Sequence, residues 1–320
     1  MFKTSFSAEL ISSSEALKHF KISDNGTLYH NPDFVEFILD DVLWLGGFKK
    51  NKLLCTMPIF KNYFPDFFYY TGPLWSKDWS NLKSYRRYST SQKIYQEMIS
   101  YLFKIRENII IQFPNTSFDI RAFDWWNYGK EEHLRFKTTV KYTAKIMSLQ
   151  SKSQNQLVEN LRSDDKKKRL RKVINKESNL EINDYISFGK FINLYRQTMS
   201  RGGGVVSNEK ILILERLYNY VIDFKKGFIM TISNSSSKEI IGSQLVIYEG
   251  KTANAIAQGF DQRLYSSEFV TYLIFNSILR SKAEGIDVFD FNGANSPMRA
   301  DDKHAYGAEE VAFFSLEYGL

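Results

Sequence analysis

Residues 287–318 read DVFDFNGANSPMRADDKHAYGAEEVAFFSLEY, and the way this stretch is parsed decides the fold. It runs as a strand, a glycine turn, a polar loop, a short helix and a last strand. Within 288–292 the residues alternate: Phe289 and Phe291 take one face, while Val288, Asp290 and Asn292 take the other. A carboxylate and an amide thus emerge together at the carboxyl end of an otherwise apolar strand. Gly293 lets the backbone turn sharply, and Lys303, His304 and Tyr306 follow within one loop and helix. By pattern alone the same stretch is also readable as a hairpin-like connection with a solvated polar loop.

Outward from this stretch the pattern stays regular. Upstream lie three strands of an antiparallel run, 227–233, 240–248 and 252–260, then an apolar helix over 266–284. Helices are expected over 188–199 and 208–224, and a helical segment spans 151–176 ahead of a strand at 180–183. The first half reads as short helices within 14–40, with Ser12–Ser14 and Asn31-Pro32 as start signals. A hairpin at 41–61 turns at KKNK, an aromatic loop covers 64–75, and a helix fills 89–106. Strands follow at 108–113, 118–123 and 138–149.

The order F-D-F-N-G-A-N-S-P over 289–297, followed by Lys303-His304-Ala305-Tyr306-Gly307, resembles the C-terminal signature of the Fem-type transferases. These are relatives of the GNAT-like acyltransferases. The phrase LYHNPDFVEFI at 28–38 and the spacing F-x-x-L-Y-x-x-T-x-x-R from Phe191 to Arg201 are similar to other Fem segments. Two departures stand out. Asp302 occupies a position where the family carries an aromatic residue, and the turn 262–267 (QRLYSS) lacks the glycines with which CoA-using relatives bind pyrophosphate. The resemblance implies an α/β (α+β) protein of two GNAT-like domains, 1–149 and 150–320. Each would be a mixed, largely antiparallel sheet flanked by helices, with a cleft between them.

Composition agrees with a globular chain. Its 320 residues suffice for two cores, and 43% hydrophobic with 25% charged residues is ordinary for folded domains. No stretch approaches the roughly 18 apolar residues of a membrane span, and the start lacks the apolar core of a secretory signal. One cysteine and four scattered histidines offer neither a disulfide nor metal spacing, so a cytoplasmic, metal-free protein is expected. Net charge is +7, but residues 162–176 hold eight basic and two acidic residues and supply +6 of it. The rest is nearly neutral, which argues against a general nucleic-acid binder while leaving that class as an alternative. His30 reads as structural.

The resemblance implies an enzyme moving an acyl or aminoacyl group onto an amine of a cell-envelope precursor. The acceptor would be a nucleotide- or lipid-linked amino sugar, or its peptide, reached by peripheral association if lipid-linked. The donor is either acyl-CoA or aminoacyl-tRNA, the latter giving a peptidoglycan bridge-forming transferase. Such chemistry needs a proton acceptor for the amine and a donor for the developing oxyanion. Asp290 and Lys303 are the candidates for those roles. Asn292, Asn295, Arg299, Tyr306, Arg201, Tyr265 and Gln258 are candidate substrate contacts. Arg171 and Lys172, in the basic segment, are candidates for gripping donor phosphate.

Overall fold

The structure is a computed structural model that describes residues 6–61, 64–116, 119–161, 164–175, 179–295 and 303–319. The chain groups into two compact units, Met1–Lys141 with Ala312–Leu320, and Tyr142–Val311. The division therefore falls at 141/142, ahead of the expected boundary at 149, and the chain's last strand ends in the first unit.

The first unit opens with β1 (Phe6–Ile11), α1 (Ser13–Lys21) and α2 (Pro32–Ile38). Ser12 and Glu15 form a reciprocal capping box on α1, and Asn31 caps α2 with Pro32 in its first turn. β2 (Val42–Lys49) and β3 (Lys52–Phe60) form the expected hairpin. Its turn residues Lys50 and Asn51 both take positive φ, 49° and 59°, matching the right-handed twist of the strands. β4 (Leu74–Trp75), α3 (Lys77–Ser80), α4 (Ser84–Ile105), β5 (Ile109–Phe113), α5 (Arg121–Asp124) and the first part of β6 (Lys137–Ile146) complete the run. β1 to β4 form an antiparallel sheet in that order, and α4 buries Ile94, Met98, Ile99 and Leu102 in a core with Leu45, Cys55 and Met57. β1, at the edge of the sheet, has no counterpart in the sequence reading.

The strand expected over 118–123 is a correction: residues 121–124 form helix α5. The Asp119 carboxylate accepts the backbone N–H of Arg121 at 3.3 Å and its guanidinium at 2.9 Å, so an aspartate turn starts a helix where side-chain alternation reads as strand.

His30 is a structural residue here. Its Nδ1 accepts the N–H of Thr27 at 3.2 Å, so that nitrogen is unprotonated, and Nε2–H donates to the Gly72 carbonyl at 2.7 Å. Complete burial, partly offset by the Gly72 bond, pulls its pKa down to about 4.

The second unit contains α6 (Gln154–Glu159), α7 (Asp164–Asn175), β7 (Leu180–Asn183), α8 (Phe188–Arg201) and α9 (Asn208–Phe224). β8 (Gly227–Asn234), β9 (Ile240–Glu249), β10 (Thr252–Phe260), α10 (Ser267–Ala283) and β11 (Val288–Asp290) follow, and β12 (Glu309–Tyr318) leads back to the first unit. The strands lie in the order β7-β8-β9-β10-β11, antiparallel up to β10 and then parallel between β10 and β11. The second part of β6 flanks β11 with Lys145 opposite Asp290. Leu273, Ile274 and Ile278 of α10 pack on Phe228, Met230, Val246 and Phe289 in one core. α8 lies directly on β10: a Cβ at Gly259 would stand 2.5 Å from the backbone of Leu194 and Tyr195, so only glycine permits this approach. The strands 227–260 and helices 188–201 and 208–224 match the sequence reading closely, while the single helical segment expected over 151–176 is resolved as α6 and α7.

A charged turn at the end of β11

β11 ends at Asp290, but the chain stays bonded to β6. The N–H of Phe291 donates to the Ala144 carbonyl at 2.9 Å and that of Ala294 to the Tyr142 carbonyl at 2.7 Å. The Asn295 Oδ1 extends the ladder by accepting the N–H of Tyr142 at 2.6 Å. Between these anchors Asn292 and Gly293 take left-handed conformations, φ 49° and 79°, which asparagine and glycine adopt most readily.

Charged side chains fix this turn from both sides. Asp290 is 1% exposed. Its Oδ1 accepts the Thr143 hydroxyl at 2.5 Å and the N–H of Asn292 at 2.9 Å, and its Oδ2 lies 3.1 Å from the Lys145 ammonium. From the other side the Lys303 ammonium donates to the carbonyls of Phe291 and Asn292, each at 3.2 Å, and to that of Gly293. Lys303 begins a helical turn whose carbonyl receives the N–H of Tyr306 at 3.1 Å. Tyr306 is buried, its ring 5.9 Å from that of Phe291, and its hydroxyl accepts from Lys166 at 3.3 Å. The Lys166 ammonium also lies 4.6 Å over the Tyr306 ring. Gly307 has φ 77°, and a Cβ there would meet the Asn160 carbonyl at 2.6 Å, so the loop presses closely on the end of α6.

The sequence candidates Asp290, Asn292, Lys303 and Tyr306 are thus brought together, and Asn295 holds the chain just beyond them. Lys145 and Lys303 bring two ammonium groups to the turn beside the Asp290 carboxylate, and a fixed cation in a partly buried setting favours a developing negative charge. One group stands apart. The Asn292 side chain is 8% exposed, and neither Nδ2 nor Oδ1 has a hydrogen-bond partner among the described residues.

β10 and β11 pair only from Thr252↔Val288 to Asn254↔Asp290. A bulge in β10 between Ala255 and Ala257 follows at once, so β10 runs on beyond the place where the parallel pairing stops. Four amides of the turn leading to α10 are bonded within the protein. The N–H of Gln262 donates to Gln197 at 2.7 Å, those of Arg263 and Leu264 to Asp261 at 2.9 and 3.3 Å, and that of Glu268 to Ser266 at 3.3 Å. Glu268 adds a carboxylate to the first turn of the helix.

The remaining candidates lie elsewhere in the same unit. Arg201, at the end of α8, stacks its guanidinium 3.6 Å from the Tyr265 ring centre, so these two are brought together. Gln258 lies on β10 opposite Gln244. Arg171 and Lys172 are exposed on α7; Arg171 lies 3.8 Å from Glu159, and Lys172 is paired with Glu268. Arg299 lies outside the described residues. Thr143, Lys145 and Lys166 escaped the sequence reading. Lys166 left a usable signal, since 166, 170 and 173 share one helix face with the buried Leu170 and Val173. No group of three or more His, Cys, Asp or Glu that could hold a metal occurs among the described residues. Nor does any described helix have the length and apolarity to cross a membrane.

No family model matches this chain, and no curated protein does. Among solved structures it is similar to FemX, with a TM-score of 0.67 at 11% identity over 98% of this chain and 97% of that one. L-PGS from Bacillus licheniformis superposes with a TM-score of 0.53 at 11% identity, covering 97% of this chain and 93% of that one. A tandem GNAT protein from the clavulanic acid biosynthesis pathway gives 0.52 at 8% identity over 98% of both chains. At these identities the likeness is one of fold: the chain folds as FemX and the tandem GNAT protein do.

Proposed function

We propose that this protein is an N-acyltransferase that moves an aminoacyl group from an ester donor of the aminoacyl-tRNA kind onto an amine. The observation that carries the reading is the Lys303 ammonium seated on the carbonyls of residues 291–293, where β10 and β11 stop pairing. A scissile carbonyl placed at this turn meets a fixed positive charge as the amine attacks. The new N–C bond forms, the ester C–O bond breaks, and the proton lost by the amine is taken up by the departing hydroxyl oxygen. Asp290 positions rather than accepts in this scheme, because its oxygens already hold Thr143, Lys145 and the Asn292 amide. The acceptor class is the amine of a nucleotide- or lipid-linked amino sugar or its peptide, met on the cytoplasmic side, where such precursors and charged tRNA are made.

Four amides of the turn leading to α10, those of 262–264 and 268, are held within the protein, and the Glu268 carboxylate in the first helical turn opposes a bound pyrophosphate, which weighs toward this donor over acyl-CoA. Acyl-CoA is the second reading. The test supplies radiolabelled aminoacyl-tRNA and acetyl-CoA separately with UDP-linked amino sugars and peptides. Label passing from aminoacyl-tRNA to an amine is expected. Transfer from acetyl-CoA alone overturns the donor assignment, and transfer from neither overturns the activity.

A further inference from the structure

Asn292 is fixed unusually well for a residue whose side chain has no hydrogen-bond partner among the described residues. Its backbone N–H is held by Asp290 and its carbonyl by Lys303, so both main-chain groups are tied to buried or half-buried charges. Its side-chain amide is more than nine-tenths buried, with donor and acceptor both unpaired. A buried polar atom without a partner costs about 1–3 kcal/mol, so an arrangement that orphans two atoms of one residue calls for an explanation.

We infer that the Asn292 amide reads an α-aminoacyl unit: Nδ2–H donates to its carbonyl oxygen while Oδ1 accepts from its α-amino group. An asparagine amide carries a donor and an acceptor on one carbon. An α-amino acid residue presents the complementary pair, amine hydrogen and carbonyl oxygen, along one edge. Lys303, bonded to the Asn292 carbonyl, brings the cation to the same place. A plain acyl group fills only half of this pattern, so the site distinguishes aminoacyl from acyl substrates. This inference rests on the reading above and sharpens it. The α-aminoacyl unit belongs either to the ester donor or to an acceptor peptide, and the two sources separate experimentally.

The experiment measures binding by NMR titration, independently of turnover. The donor arm compares 3′-alanylamino-3′-deoxyadenosine with its propionyl counterpart, which lacks only the amine. The acceptor arm compares trialanine with its des-amino counterpart. Wild type should favour the amine-bearing member of one arm by about tenfold, and that arm names the source. Asn292→Gly tolerates the left-handed backbone and removes the amide. It should abolish the preference while thermal stability stays level or rises, since two unpaired buried atoms are gone. Asn292→Asp keeps the acceptor and loses the donor, so it should weaken both members of the arm while retaining a preference for the amine. It also serves should the glycine variant fail to fold. Equal binding within both arms, a preference that survives Asn292→Gly, or tight binding of adenosine alone that depends on Asn292 each overturns the inference. If wild type transfers acyl groups yet shows no such preference, the inference fails and the proposed activity stands. A preference dependent on Asn292 without any transfer gives the reverse.

Discussion

His30 in the first unit and Asn292 in the second are both buried polar residues in tight connections, and their surroundings differ in kind. Both ring nitrogens of His30 are partnered, by Thr27 on one side and Gly72 on the other. Asn292 has a fully bonded backbone and a side-chain amide with no partner among the described residues. The first pattern is architecture, since a low-dielectric interior strengthens bonds that are complete. The second leaves a donor and an acceptor to be met from outside the protein. In this pair the difference lies in how the polar groups are satisfied rather than in their burial.

The most severe way to break the comparison is to remove the scaffold under Asn292. Lys145→Met removes the ammonium 3.1 Å from the 1%-exposed Asp290 carboxylate, and losing one member of a buried pair costs about 3–5 kcal/mol. Urea denaturation at neutral pH should show a loss of that size; a loss below about 1 kcal/mol would mean that the turn does not depend on the pair.

Lys303→Ala tests the charge on the other side. Deleting a group that stabilises a transition-state oxyanion lowers turnover about 100- to 1000-fold. The expected result is a fall of that order in kcat with a much smaller change in KM, in protein whose melting curve shows it folded. Full turnover would place the chemistry elsewhere in the unit, with the Arg201–Tyr265 pair next to be examined.

His30 is expected to act on stability alone, with a defined pH window. Its folded pKa, about 4, lies below the unfolded value near 6.5, so between these limits the unfolded chain binds more protons than the native one. The stabilisation is therefore complete above about pH 6.5, falls away as the pH drops toward 4, and amounts to about 3 kcal/mol across the window. His19, whose pKa is also lowered by burial, acts in the same direction. Denaturation midpoints at pH 7.5, 5.5 and 4 should trace the decline, and His30→Gln should flatten it. A profile in which activity rather than stability follows this window would move His30 out of the architectural class.

The smallest effects belong to α7. Lys167, Arg169, Arg171 and Lys172 each lie against a carboxylate, of Glu159, Asp165, Glu159 and Glu268 respectively. Exposed pairs of this kind contribute about 0–1 kcal/mol. Arg171→Ala should shift stability by no more than about 0.5 kcal/mol. It should lower the salt dependence of tRNA binding only if a phosphate displaces Glu159.

Much of this was legible in the sequence because local pattern and tertiary outcome agree. Strands 227–260 alternate cleanly, and Asn-Gly after F-D-F announces a left-handed turn. The strand wrongly expected at 118–123 shows the opposite case, where one bond from Asp119 to the Arg121 amide outweighs an alternating pattern. β1 is an edge strand of mixed exposure, so its alternation is faint. The partners of Asp290 were invisible for another reason: Thr143 and Lys145 stand some 147 and 145 positions upstream, and pairing at that range leaves no periodic trace. The orphaned Asn292 amide follows only from knowing every neighbour, which no spacing in a sequence supplies.

The path of β12 has a consequence for how the protein is made. Its residues Phe314 to Tyr318 pair with Phe113 to Ile109, and Phe313 and Leu316 are buried among residues of the first unit. A ribosome releasing this chain therefore emits nearly all of the first unit early, yet must synthesise the whole of the second before β5 gains its partner. Closing a connection of that length is slow compared with local helix and hairpin formation. Until then β5 presents an open, apolar strand edge, the kind of surface that invites chaperones or aggregation. The unit whose residues are translated first is the one that finishes folding last.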